Sequence, residues 1–327
     1  MAFPLRHLIR NIAACAGAAV LASAAWAQTY PDRPITFIYG YPAGSVSDIA
    51  WRAIVQEASK RLGQPIVVEN KPGANGRIGL DMVMRAKPDG YTIGKFNNSQ
   101  LVVAPLIDPK LAIEPGRNYT PIVLGIEGYL LMVARPDAPF KDLPSFIAYA
   151  KANPGKLTGG SPGPGTGSHL ALAMVGAQAG IDYTQIHYKG AVPAMQGLLA
   201  GDIDVMFTDV IAKPYVESGK ILGLGVSGSS RWDLFPQLPT LKEAANLPAF
   251  QAVTWQGVLA PPGLPAGVAT VLNRAFNEAL ASPELRARMA AGGWIIRGGT
   301  PEDAAKLIRS DTELYRPVVK AANIKLD

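Results

Sequence analysis

Cysteine is nearly absent from this sequence, since its 327 residues contain only one, Cys15. Cys15 lies in an N-terminal segment that has the features of an export signal, so residues 28–327 have no thiol. A chain without cysteine has no disulfide bond, no thiol nucleophile and no thiolate metal site. Stability after export must therefore come from the hydrophobic core, and a chain of this length can form two compact domains.

Histidine is also scarce, with three in the whole sequence, of which His169 and His187 follow the N-terminal segment. Ser168, His169 and Asp209 could in principle form a hydrolytic triad. Ser168 and His169 are adjacent near a helix start, however, so their side chains diverge, and the chain has no G-x-S-x-G motif. No cluster has the spacing of metal ligands. We therefore expect no catalytic residue, no metal and no cofactor.

Dense blocks of lysine and arginine are missing as well. The sequence has 31 basic and 25 acidic residues, and loss of the N-terminal segment would leave a net charge of about +4. Without a basic patch, nucleic-acid binding is not expected. The mild positive charge could attract an anionic solute, or it could serve solubility alone.

The N-terminal segment predicts export. Basic residues precede an apolar run at 12–25, and Ala25-Trp26-Ala27 has the small-residue pattern of a cleavage site. We expect a signal peptide at 1–27, cleaved after Ala27, and a periplasmic location. A membrane anchor would need a longer apolar run, and a lipoprotein signal ending at Cys15 would leave almost no apolar core before the cysteine.

Strands and helices alternate along the rest of the chain, which predicts an α/β fold with mainly parallel sheets covered by helices. We expect strands at 35–39, 65–69, 91–96, 156–159, 204–207, 222–227 and 255–260. We expect helices at 47–62, 78–86, 142–152, 169–178, 192–199, 266–280, 283–291 and 301–316. The apolar segment 122–134 could carry the chain from one lobe to the next. We expect one lobe from residues 28–125 plus 252–327 and a second from 126–251.

Two loops rich in small residues, 41–48 (YPAGSVSD) and 160–168 (GSPGPGTGS), each follow a short strand and open a helix. Such loops let backbone N–H groups approach a ligand closely, and a helix N-terminus favours negative charge. Neither loop is a GxxxxGK[ST] phosphate loop or has the spacing of a dinucleotide fingerprint. The predicted ligand is a small anion such as a carboxylate, held between two lobes. The alternatives are an ordinary turn at 41–48 and a flexible linker at 160–168.

Individual polar residues near these loops have more than one interpretation. Asp48 could cap its own helix or contact a ligand. Thr208 and Asp209 end a strand that faces the cleft, where they could bind a polar ligand or be structural. Gly44→Val is expected to weaken binding by adding bulk where the backbone must approach the ligand.

Several motifs in order along the chain resemble the substrate-binding proteins of tripartite tricarboxylate transporters, the Bug receptor family. They are 30–35 (YPDRPI), 41–48 (YPAGSVSD), 68–76 (VENKPGANG), 88–92 (PDGYT), 188–190 (YKG), 201–204 (GDID), 238–241 (LPTL) and 260–263 (APPG). The resemblance covers essentially all of the chain after the signal. The sequence departs from the family pattern at Ser45, where a second glycine is usual, and at Tyr41, which replaces a smaller or non-polar residue.

The resemblance implies a two-lobed periplasmic binding protein of type II-like α/β fold, with the ligand cleft between lobes that close on a carboxylate. Its expected partners are the ligand and the membrane subunits of a transporter, and we expect a monomer. A ligand-sensing subunit that signals to a membrane sensor kinase would have the same pocket, and an enzyme on this fold would need a nucleophile and base that are missing. The implied ligand-binding residues are Tyr41, Ala43, Gly44, Ser45, Val46, Asp48, Asn98, Ser99, Ser161, Gly165, Thr166, Gly167, Ser168, His169, Thr208 and Asp209.

Overall fold

The structure is a computed structural model and describes residues 30–247, 250 and 252–321. The expected signal peptide and its cleavage site after Ala27 lie outside the described residues. Within those residues, no helix is long and apolar enough to cross a membrane.

The strands of the described residues form two sheets. In chain order they are β1 (Ile35–Tyr39), β2 (Ile66–Asn70), β3 (Thr92–Asn97), β4 (Thr120–Tyr129), β5 (Leu131–Ala134), β6 (Thr158–Ser161), β7 (Thr184–His187), β8 (Val205–Thr208), β9 (Leu222–Val226), β10 (Val253–Ala260) and β11 (Trp294–Ile296). Most of these strands lie at or close to the predicted positions. The short strands β7 and β11 were not predicted, and the segment that forms β4 and β5 was predicted only as an apolar connection between lobes.

The helices cover both sheets. They are α1 (Val46–Leu62), α2 (Arg77–Met84), α3 (Ala104–Ile107), α4 (Leu143–Ala152), α5 (Gly167–Ala179), α6 (Ala191–Ala200), α7 (Lys213–Glu217), α8 (Leu241–Ala244), α9 (Ala266–Ala281), α10 (Pro283–Ala291) and α11 (Pro301–Ala321). A π-helical turn at Ser99–Val103 precedes α3. The predicted long helices are all present, because each has the apolar spacing and the end signals that a packed helix needs.

Both sheets are mixed, whereas the alternation of strands and helices predicted mainly parallel ones. The first sheet has the order β11–β4–β10–β3–β1–β2. β1 runs parallel to β2 and β3, but the returning strand β10 is antiparallel to both β3 and β4. The expectation of parallel pairing is wrong there because β10 enters the sheet from the other lobe, without a crossover helix.

The second sheet has the order β7–β6–β8–β5–β9. β6 is parallel to β7 and β8, whereas β5 is antiparallel to β8 and β9. The chain enters this sheet directly from β4 through Leu130, so the antiparallel pairing follows from the same direct crossing. The predicted boundary after residue 125 falls inside β4, which stays in the first sheet to Tyr129.

The hydrophobic core continues from one sheet to the other. Trp51 and Phe276 pack on one face of the first sheet. A second cluster runs without a break from Phe96 and Trp255 to Phe207 in the second sheet. The last helix, α11, packs against both β4 and α5, so it spans the junction where the chain crosses between sheets.

Candidate functional site

A cavity of about 540 Å³ lies between the two sheets and receives residues from both. Its lining comes from helix starts, strand ends and the two crossing strands. It consists of Ser45, Val46, Ser47, Asn97, Asn98, Ser99, Gly128, Tyr129, Leu130, Gly167, Ser168, Ala191, Val192, Asp209, Val210, Ile211, Trp232, Thr254, Gln256, Gly292, Gly293 and Trp294. In open α/β sheets the crevice beyond the strand ends is the usual place for a ligand.

The start of α1 forms one wall of this cavity. Ser45 is the N-cap, and its hydroxyl accepts a hydrogen bond from the Asp48 N–H at 3.1 Å. Val46 and Ser47 line the cavity and occupy the first two helical positions. The N–H groups of those positions have no acceptor within the helix, so they remain available to an anion.

The starts of α5 and α6 form the opposite wall. Thr166 caps α5, with its hydroxyl accepting from the His169 N–H at 3.4 Å and donating to the Gly163 carbonyl at 2.8 Å. Gly167 and Ser168 then occupy the first two positions of α5. Ala191 and Val192 occupy the first two positions of α6. Three helix N-termini therefore meet at one cavity, and each adds partial positive charge there.

Asp48 supports the loop 41–48 from behind and is only 2% exposed. Its Oδ2 accepts hydrogen bonds from the Gly44 N–H at 3.0 Å and from Arg52 Nε at 2.9 Å. Its Oδ1 accepts from Asn70 Nδ2 at 3.0 Å. Burial raises the pKa of Asp48, but the hydrogen bonds from Arg52, Gly44 and Asn70 outweigh burial and hold that pKa below its usual value. The Gly44 N–H is thus used inside the loop.

Tyr41 also fixes this loop, and Lys95 lies beneath it. The Tyr41 hydroxyl donates to the Asn75 carbonyl at 3.1 Å and accepts from Asn97 Nδ2 at 2.9 Å. Burial raises the pKa of Tyr41 to about 12. Lys95 on β3 is buried with its Nζ 4.4 Å from the centre of the Tyr41 ring, and burial lowers the pKa of Lys95 to about 7.

The second glycine-rich loop is held by two histidines. Ser161 Oγ and His187 Nδ1 are hydrogen-bonded at 2.7 Å, and the Gly165 N–H donates to His169 Nδ1 at 3.1 Å. The two imidazole rings lie 4.5 Å apart. Burial, with a smaller effect of His187, lowers the pKa of His169 to about 4. His169 is therefore neutral at physiological pH and acts as an acceptor for its own loop.

The strand-end residues differ in what their side chains do. Asn98 Nδ2 donates to the Val253 carbonyl at 2.8 Å and thereby ties the end of β3 to β10. Asp209 Oδ1 accepts from the Ile211 N–H at 3.1 Å. Desolvation raises the pKa of Asp209, although the hydrogen bond from Ile211 opposes it. Thr208 is buried, and its hydroxyl has no partner among the described residues.

Seven of the sixteen predicted binding residues line the cavity, and nine lie outside its lining. The lining residues are Ser45, Val46, Asn98, Ser99, Gly167, Ser168 and Asp209. Those outside the lining are Tyr41, Ala43, Gly44, Asp48, Ser161, Gly165, Thr166, His169 and Thr208. Several of these nine residues hold the two loops in shape through hydrogen bonds of their side chains or backbone N–H groups.

Sequence reasoning missed the aromatic wall and the amide at the back of the cavity. Trp232, Trp294 and Tyr129 line it, and Tyr129 meets Trp232 edge to face with ring centres 6.2 Å apart. Gln256 Oε1 accepts from both Ser47 Oγ and Trp51 Nε1, each at 2.7 Å. Gln256 could have been singled out from the sequence, because it is the one amide in the apolar strand 253–260. No sequence pattern marks Trp232 and Trp294 as cavity residues, because only folding brings them to the cleft.

The charge of the lining limits its chemistry. Asp209 is the one acidic side chain in the lining, which contains no lysine, arginine or histidine. Among the described residues, no cluster of three or more histidine, cysteine, aspartate or glutamate side chains could hold a metal ion. The cavity can bind an anion through backbone N–H groups and can cover an apolar body with aromatic rings.

The sequence matches the family model described as "Tripartite tricarboxylate transporter family receptor" over residues 50–324. The chain belongs to this receptor family. A curated relative from Pseudomonas sp. strain P51, "UPF0065 protein in tcbD-tcbE intergenic region", is 36% identical over 293 residues, which are 89% of this chain and 87% of the relative. The family assignment made from the motifs is therefore confirmed.

Solved structures agree with this receptor in fold. MatC from Rhodopseudomonas palustris with bound malate is 31% identical, with a TM-score of 0.73 over 89% of this chain and 100% of MatC. Rpa4515 from R. palustris with adipate is 26% identical, with a TM-score of 0.77 over 90% of this chain and 99% of Rpa4515. The prediction of a two-lobed periplasmic-binding-protein fold is confirmed. The family is one of solute-binding receptors rather than enzymes.

Proposed function

We propose that this receptor captures a small carboxylate between its lobes in the periplasm and delivers it to a tripartite tricarboxylate-type membrane transporter. The observation that carries the proposal is the meeting of three helix N-termini at one interlobe cavity whose lining has no cationic side chain. Backbone N–H groups bind a carboxylate through charge-assisted hydrogen bonds, each worth about 1.5–3 kcal/mol. The relatives with bound malate and adipate support the same ligand class.

Lobe closure is the proposed means of capture. Among the described residues we assign 30–129 and 252–321 to one lobe and 130–247 to the other, because the chain changes sheet at Leu130 and returns with β10. Gly293 of the first lobe packs against the second, since a Cβ added there would lie 2.3 Å from Val210 Cγ1 and 2.9 Å from Trp232. Gly167 similarly approaches Thr254 of β10. A ligand that contacts both walls favours this closed arrangement because it binds the closed form more tightly.

No catalytic step is part of the proposal. Ser168 and His169 lie on one helix start, and His169 Nδ1 is occupied by the Gly165 N–H. Asp209 accepts from the Ile211 N–H. Ser161 Oγ is hydrogen-bonded to His187 Nδ1, but neither residue lines the cavity. The described side chains thus place no hydrogen-bonded nucleophile and base in the lining, which hydrolysis by a triad requires.

The proposal is tested on protein expressed with its own N-terminal segment and recovered from the periplasm, stripped of ligand by unfolding and refolding. An intact mass equal to that of a chain starting at Gln28 supports cleavage after Ala27. Thermal unfolding is then followed with a panel of aliphatic and aromatic carboxylates. A ligand at 100 times its Kd adds about 2.7 kcal/mol and raises the midpoint by several degrees. A response only to neutral sugars or cations would contradict the proposal.

The transporter is tested separately from the ligand. The loaded receptor is expected to bind the membrane subunits of a tripartite transporter more tightly than the stripped receptor, because only the closed form presents both lobes in the docking arrangement. Binding to a sensor kinase instead would keep the ligand assignment and replace the partner.

A further inference from the structure

Different parts of the cavity wall differ in charge and polarity, and this distribution limits which carboxylates can bind. Asp209 is the one carboxylate in the lining and belongs to the second lobe, where it follows β8 beside the strand β6 that leads into α5. The start of α1 belongs to the first lobe and forms the opposite wall, so its free N–H groups lie across the cavity from Asp209. One wall therefore offers backbone donors to a ligand carboxylate, and the other offers a carboxylate acceptor.

Asp209 lies on the wall that carries Val210, Ile211 and Trp232. Its Oδ1 accepts from the Ile211 N–H, and no lysine, arginine or histidine of the described residues forms an ion pair with it. A carboxylate in this position can accept a further hydrogen bond from a ligand hydroxyl or ammonium group. It repels a ligand carboxylate that has no cation to separate the two charges.

The surface beside this wall is apolar and aromatic. Trp232 is 4% exposed and is held by Tyr129 and Phe235. Trp294 lies against Gly128, where an added Cβ would be 2.9 Å from the indole. Val192, at the mouth of the cavity, is 63% exposed and free to cover an apolar ligand. Rings and alkyl chains, rather than a second polar head, complement such a surface.

We infer that the ligand is a monocarboxylate with an apolar or aromatic body whose far end bears a hydroxyl or ammonium group that donates to Asp209. This inference rests on the proposed function, since it assigns the ligand carboxylate to a helix N-terminus, that of α1, across the cavity from Asp209. Asp209 then determines specificity, because it selects a donor at the far end and rejects a diacid. In this respect the receptor differs from its structural relatives with bound malate and adipate.

The test uses pairs of ligands that differ only at the far end. Calorimetric titration compares 6-aminohexanoate with adipate, and 4-hydroxyphenylacetate with 4-carboxyphenylacetate. In at least one pair the donor-bearing acid is expected to bind tenfold or more tightly than its diacid. The aliphatic pair tests an ammonium donor and the aromatic pair tests a hydroxyl donor, each against a diacid with the same body. Diacids that bind as tightly as their partners in both pairs overturn the inference and leave the proposed function intact. Failure of every acid in these pairs and in the wider carboxylate panel overturns both.

Asp209→Asn is the matched variant, because the asparagine Oδ1 can still accept from the Ile211 N–H. We expect the variant to unfold at the same temperature, to bind the donor-bearing acid about fivefold to tenfold more weakly, and to bind the diacid more tightly than the unmodified receptor does. An unchanged ratio of the two affinities would show that Asp209 does not face the ligand.

Discussion

At the residue scale, titratable side chains outside the cavity lining hold the two glycine-rich loops in shape. Asp48 and His169 each hold a loop by accepting backbone N–H groups. Asp311 of α11 is different, because it is buried against the crossing strand β10 and accepts from Trp255 Nε1. Burial raises the pKa of Asp311 to about 6, although the hydrogen bond from Trp255 opposes it. The receptor therefore carries a destabilising charge in its core at neutral pH.

Asp311→Asn is expected to stabilise the receptor at pH 7.5 by about 1–3 kcal/mol. The folded protein keeps the Asp311 proton to higher pH than the unfolded chain does, so stability falls as pH rises from about 4, where the unfolded carboxyl group ionises, and the loss is complete above the folded pKa of about 6. Below about pH 4 the group is protonated in both states, and the gain should disappear. Urea unfolding of both proteins from pH 4 to 8 measures this difference. A gain independent of pH would contradict the explanation.

Gly44 is needed for its backbone conformation rather than to leave room for a ligand. Its φ is +84°, and an added Cβ would meet nothing within 4 Å. Gly44→Ala and Gly44→Val should both strain the loop, lower stability by about 1 kcal/mol and weaken carboxylate binding. Gly116→Ala is the control, since Gly116 has a φ of +82° and equal space but lies outside the cavity. It should lose similar stability and bind normally. Equal effects of both alanine variants on affinity would contradict this account.

At the element scale, the helix starts are the parts proposed to bind the carboxylate. Val46→Pro deletes one N–H at the first position of α1, where proline is tolerated, and the extended backbone of Ser45 (ψ 157°) suits a following proline. Affinity for the tightest-binding acid is expected to fall about tenfold. Circular dichroism should show unchanged helix content. Ala266→Pro, at the exposed first position of α9, is the matched control. If both variants bind as the parent does, the N-terminus of α1 does not contact the carboxylate.

The same scale shows how far the sequence predicts this receptor. β1, α1 and α10 were predictable because apolar spacing, a capping residue and a terminating glycine or proline are local signals. No local sequence signal shows which side of a loop faces the cavity. The Gly44 N–H turns inward to Asp48, and the ligand wall is formed instead by Val46 and Ser47. Trp232 and Trp294 reach the cavity only because two lobes distant in sequence pack together.

At the scale of the whole molecule, the two lobes approach closely at Gly293 and Val210, and the proposed closure depends on this contact. Val210→Trp adds bulk at this point and should hold the lobes apart, so affinity falls at least tenfold. Small-angle scattering should then show a radius of gyration that saturating ligand does not reduce. Val210→Ala, which removes bulk, should close and compact on binding as the parent does. Compaction of the Val210→Trp variant would place the closing contact elsewhere.

The most direct measurement for the central claim is a calorimetric titration of the stripped receptor with the tightest-binding acid of the panel and with the primary amide of that same acid. The two ligands share shape and body and differ in the anionic group that the helix N-termini are proposed to hold. We expect one acid to bind per receptor and the amide to bind at least a hundredfold more weakly, a loss of about 2.7 kcal/mol or more. Equal affinities for acid and amide would contradict carboxylate capture by this cleft.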